Sequence, residues 1–78
     1  MTAVPRHVRF ENEDVDAVRM MVRSHADPPT FEPGTPVEVE VGARWRTHGG
    51  HAERVAGHWL DCVVVAESSR ELVVRLVE

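Results

Sequence analysis

The sequence predicts an α+β fold: a short N-terminal helix and a Pro-rich connector packed on a three- to four-stranded antiparallel sheet that curls toward a barrel. Three observations lead there. Val15, Val18, Val22 and His25 fall at helical spacing, with Met21 beside them. Four of the five prolines crowd into residues 26–36 and divide the chain. Beyond them, Val37-Glu38-Val39-Glu40-Val41 alternates with a period of two, and two further valine-rich runs follow.

Size and composition bound the rest. The 78 residues make a single domain, with a strand, helix and connector in 1–32 and an antiparallel β unit in 33–78. The chain is 42% hydrophobic and carries 13 acidic against 9 basic residues, a net charge of −4. That balance suits a folded chain and sets a poor background for phosphate binding. No apolar run approaches the ~20 residues that cross a bilayer. Met1-Thr2-Ala3-Val4-Pro5-Arg6 lacks an apolar signal core, so the expected location is cytoplasmic and no membrane partner is expected. Cys62 is the one cysteine, so no internal disulfide forms. A domain this small buries only about 60–65% of its unfolded surface, which raises the weight of a metal or a partner chain. All nine basic residues are Arg, the better partner for carboxylates, phosphates and aromatic faces.

The elements follow in order. Val8 and Phe10 alternate with polar neighbours in a short strand over 6–10. Asn12 caps a helix over 13–25, whose first-turn acids and late Arg19 and Arg23 complement its dipole. Pro28-Pro29 stops it. Residues 26–36 run as a stiff surface segment anchored by Phe31. The alternation from Val37 continues in parity through Ala43 to Trp45, which places Trp45 in the core. His48-Gly49-Gly50-His51 supplies a turn. Residues 60–66 read as a central strand, Glu67-Ser68-Ser69-Arg70 as a tight turn, and Leu72-Val73-Val74-Arg75-Leu76-Val77 as the closing strand.

Pro33-Gly34-Thr35-Pro36-Val37-Glu38-Val39 resembles the opening of SH3-like small β-barrels of the KOW and Tudor kind. Trp59-Leu60-Asp61-Cys62-Val63-Val64 looks like their central strand, and Leu72-Val73-Val74-Arg75-Leu76 like the strand paired to it. The resemblance covers 33–78, leaves 42–58 as an enlarged loop, and implies a binding module. Four aromatic residues and no Tyr equip the chain poorly for a Tudor-type aromatic cage. With its appended helix the chain also resembles small accessory proteins of phages.

Four chemistries compete for the polar residues. His48, His51, His58 and Cys62 are zinc-type ligands in the order His-x2-His-x6-His-x3-Cys. On a strand, however, His58 and Cys62 stand ~13 Å apart; the rival reading is a solvated loop and an inert core thiol, with no metal or other cofactor. Arg44, Arg46 and Arg54, with the flanking tryptophans, offer a nucleic-acid surface; the rival is pairing with Glu38 and Glu40. Met20, facing outward from the helix, and the 42–58 loop with His48 and His51 offer a protein-binding surface. His58, Asp61 and Cys62 include catalytic residue types, but Cys62 sits among valines beside Asp61, the opposite of an activating setting. The expected function is therefore non-catalytic: an accessory or regulatory interaction module with a host-protein or self partner, simplest as a homodimer. Nucleic-acid binding through 42–58 is the alternative, and a zinc-stabilised structural domain the second.

Overall fold

The computed structural model describes residues 2–78 and is all-β. Seven strands run in chain order: β1 (Val4–Phe10), β2 (Val18–Ser24), β3 (Pro36–Val41), β4 (Arg44–His48), β5 (His51–Val55), β6 (His58–Glu67) and β7 (Leu72–Leu76). Five of them close a barrel in the order β1-β2-β3-β6-β7, while β4 and β5 form a separate two-stranded hairpin. Neighbours along the chain pair antiparallel, so successive barrel strands alternate in direction. With five strands the first and last must then run the same way. The closing pair, β1 with β7, is accordingly parallel, with Val8 opposite Leu72 and Phe10 opposite Val74.

The predicted α+β class is overturned. There is no helix over 13–25. Residues 11–17 turn, with the Glu13 N–H donating to the Phe10 carbonyl, and residues 18–24 are β2. Val18 and Val22 fit helical spacing, but Met20, Val22 and Ser24 also fit a period of two. Alternation wins because β2 bonds along both sides, to β1 through Val4↔Val22 and to β3 through Val22↔Val39. A 13-residue helix with one narrow apolar stripe is marginal alone, and it would leave β1 and β3 as open edges. Val15 is 60% and Val18 55% exposed, so half of the supposed helical stripe faces water. The likeness to phage accessory proteins rested on that helix and loses its footing with it.

The core is a plug of small side chains. Val8, Val22, Val37, Val39, Cys62, Val64, Leu72 and Val74 are all buried, with Phe10, Met20, Phe31, Val41 and Leu60 packed around them. Six of the eight are valine, which suits both the pleat and the narrow lumen of a five-stranded barrel. The alternation in β3 and the apolar run in β6 read correctly as paired strands, with Val37 opposite Cys62 and Val39 opposite Leu60. Between Val64 and Ala66 a bulge bends β6, and β7 pairs on across it.

The connector reads as expected. Pro33-Gly34 forms a type II turn: Gly34 has φ +91°, and the Thr35 N–H donates to the Glu32 carbonyl. The Ser24 hydroxyl donates to the Thr30 carbonyl at 2.7 Å and accepts from the Ala26 and Thr30 N–H groups, tying the connector to the end of β2. Phe31 packs on the core, with the Arg6 guanidinium over its ring.

The two valines of β2 check this strand directly. Val22→Ala, at a fully buried site, is expected to cost roughly 2–3 kcal/mol, and Val18→Ala no more than about 0.5 kcal/mol, in urea unfolding. Equal losses would restore the helical face.

Candidate functional site

The most conspicuous departure from a plain barrel is the β4–β5 hairpin, an arm leaving one end of it. Gly42 (φ +78°) carries the chain off the end of β3. At the tip, Gly49 and Gly50 both have positive φ, the requirement of a two-residue type I′ turn, and His48 faces His51 across it. Every residue of β4 and β5 is exposed except Val55, which is half-buried. Trp45 is 71% exposed. The expected core position of Trp45 is therefore overturned: the parity of β3 ends at Gly42, and the strand beyond it belongs to another sheet.

The arm is latched at its root. Glu40 lies on the outer side of β3, yet its side chain is 2% exposed because the returning chain covers it. It accepts hydrogen bonds from the Arg54 guanidinium and from the Gly57 N–H at 3.0 Å. The Arg54 contact holds the Glu40 carboxyl below its ordinary pKa; burial opposes this, while the Gly57 N–H and the charges of Arg54 and Arg23 assist. Gly57 is required by space: a Cβ there would lie 2.0 Å from the Val41 carbonyl oxygen. The latch thus joins one residue of each hairpin limb's surroundings, Glu40 before the arm and Arg54 within it.

The arm presents two faces. Trp45 stands opposite Arg54 and Thr47 opposite Ala52; the other face carries Arg44 with Val55, Arg46 with Glu53, and His48 with His51. The Trp45–Arg54 face overhangs a groove of about 340 Å³ floored by Pro5, Arg19, Met20 and Met21. Met20 therefore borders this groove, but from β2 and packed against the core, so the outward helical face expected for it does not exist. Arg46 pairs with Glu53, its Nε donating at 2.8 Å, and Arg54 pairs with Glu40. Among the described residues Arg44 has no such partner. The expected arginine pairing with β3 carboxylates holds for one pair, Arg54 with Glu40.

The zinc-type ligands are not gathered. His48 and His51 share the arm tip, His58 begins β6, and Cys62 is a core residue 1% exposed. Burial, with the Asp61 charge second, pushes the Cys62 thiol up to about 11, the opposite of an activated nucleophile. The three-ligand cluster found among the described residues lies elsewhere: His25, Glu38 and Asp61 on the outer wall. There His25 Nε2 and an Arg23 amino group approach the same Glu38 oxygen, at 3.2 and 3.0 Å, and Arg23 lies 3.8 Å from the centroid of the Trp59 ring. The guanidinium already supplies the positive charge a metal would bring.

A second concavity opens at the barrel end from which the arm leaves. It measures about 770 Å³ and is lined by Phe10, Val41, Leu60, Leu76 and Val77, with Glu11, Glu13, Glu78 and Arg75 at its rim. Leu76 and Val77 are 44% and 51% exposed. Sequence reasoning offered an arginine partner for Glu40 but missed this mouth, the burial of Glu40 and the role of Gly57. Glu40 looks solvent-facing in an alternating strand, and only the folded return of residues 54–57 covers it. No family model, curated protein or solved structure matches this chain.

The latch carries a pH dependence. A carboxylate whose pKa is depressed by folding stabilises the folded form above its unfolded pKa and loses that contribution as pH falls through the folded value. Arm attachment, read by tryptophan fluorescence from Trp45 and Trp59, should therefore weaken as pH drops below about 4.3. Glu40→Gln should show loosened fluorescence already at pH 7 and a flatter acid profile. An unchanged acid profile in that variant would remove Glu40 as the latch.

Proposed function

We propose that this protein is a non-catalytic interaction module whose β4–β5 arm makes its contacts with another protein. The observation that carries this reading is the exposed Trp45 on a hairpin that contributes nothing to the barrel core. An isolated two-stranded ribbon is marginal in water, and Trp and Arg are the residues that dominate protein interfaces. Charge supports a protein over a nucleic acid. Two of the three arm arginines are already neutralised by Glu53 and Glu40, which leaves Arg44 alone to meet a phosphate backbone. The buried, protonated Cys62 supports a role without catalysis. The five-stranded closure and the Pro33-Gly34 turn into β3 support kinship with SH3-like barrels of the KOW and Tudor kind. A reducing cytoplasm suits the single free thiol.

A photo-crosslinking amino acid in place of Trp45, activated in cells of the source organism, tests the arm directly. Protein adducts are expected. Adducts to DNA or RNA would transfer the assignment to the nucleic-acid reading, which the exposed Trp45 beside Arg44 favours, and no adducts at all would remove the arm as a contact surface.

A further inference from the structure

We infer that the partner of the arm is a second copy of this chain, and that the arm of one copy seats Trp45 in the apolar barrel mouth of the next. This rests on the reading of the arm as a contact surface and adds the occupant and the geometry.

Two unsatisfied surfaces of one molecule match each other. One is a knob: Trp45, 71% exposed on a projecting ribbon. The other is a hole: the mouth of about 770 Å³ lined by Phe10, Val41, Leu60, Leu76 and Val77. Its volume lies within the range that encloses apolar groups, and barrel mouths are common sites for them. The knob cannot serve its own hole in the conformation seen, because Trp45 overhangs the groove floored by Pro5, Met20 and Met21, on the outer wall of β1 and β2.

The charges are complementary as well. Arg46 pairs with Glu53 and Arg54 with Glu40, which leaves the arm one unpaired positive charge, Arg44, before either histidine protonates. The mouth itself is lined by Glu11, Glu13 and Glu78 against Arg75, a net −2. Glu11 approaches Arg75 at 3.9 Å; Glu13 and Glu78 have no ion-pair partner among the described residues. A basic knob thus meets an acidic rim around an apolar hole. Such pairing steers association and sets orientation, while burial of the indole supplies the affinity.

Knob and hole are different patches of the same surface, so the contact is head-to-tail. Each copy offers one knob and one hole, and every contact leaves one of each free. The assembly grows until its rotation closes a ring, or continues as a filament. A two-fold dimer built on arm-to-arm contact would have no use for the mouth.

Sedimentation velocity of the purified full chain tests this. Association that rises with protein concentration and weakens with salt is expected, with Trp45→Ala and Val77→Asp each weakening it by roughly 10-fold or more. Both sites are on the surface, and an unchanged melting curve establishes that each variant is folded. Glu13→Arg, which reverses a charge at the rim of the mouth, should weaken it through charge. Mixing Trp45→Ala with Val77→Asp is decisive: one copy keeps its mouth and the other its arm, so a one-to-one dimer that grows no further should form. A mixture that stays monomeric, while the native chain associates, would overturn the head-to-tail contact. A native chain that stays monomeric up to about 1 mM, where an association of only about −4 kcal/mol would show, would overturn self-assembly altogether. Adducts from position 45 to a different protein in cells would then leave the arm reading standing with another occupant.

Discussion

Closure of the barrel through the parallel β1–β7 pair is the constraint on which everything else in this molecule depends. Eight small buried side chains give a core too slight to tolerate an open edge. Joining the first strand to the last removes both edges at once, and the Glu11 N–H extends the seam by donating to the Val74 carbonyl at 2.8 Å. Two ion pairs on the outside, Arg6 with Glu67 and Arg9 with Glu71, span from β1 to the β6–β7 turn. They are half-exposed and add little energy, but they match the register that the valines already require. Once β1 must reach β7 on one side, β2 has to bridge β1 to β3 on the other, and a helix in its place becomes untenable.

Closure also explains the arm. A sealed barrel has no room for the residues between Val41 and His58, so they leave the sheet and pair with themselves. Gly42 releases them, the Gly49-Gly50 turn folds them back, and Gly57 lets the return pass against β3 without a side chain in the way. The cost is a buried carboxylate at Glu40, offset by Arg54 and the Gly57 N–H. The structure thereby separates two tasks: a tight plug that makes the fold, and a latched ribbon whose side chains are left for contact. The molecule's extents of 44 × 31 × 27 Å reflect this division.

Much of the sheet was legible because its rules are local. Alternating valines in 37–41, the doubly apolar run at 62–66 and the Pro33-Gly34 turn each specify their own conformation. The helix was misread because residues 15–25 satisfy two periods at once, and the acids before them mimic a helix start. What decided between the periods was pairing to β1 and β3, a non-local fact. Trp45 failed for a related reason. Parity carries across a strand only while the strand continues, and Gly42 ends it. At the candidate site, Arg44, Arg46, Arg54, His48 and His51 were legible as a group in 42–58. The pairing of an arm arginine with Glu40 was legible too, but the burial of Glu40 and the mouth were not, because one is covered by the returning chain and the other assembled by segments far apart in the chain.

The division between plug and ribbon is the central claim, and amide hydrogen exchange followed by NMR tests it most directly. Slow exchange is expected for the inward-facing core positions of β1, β2, β3, β6 and β7, Val8 and Val74 at the seam included, with fast exchange throughout 44–55. Rapid exchange at Val8 and Val74, or protection of 18–24 in a helical pattern of successive i to i−4 bonds, would contradict the closed barrel and the account built on it.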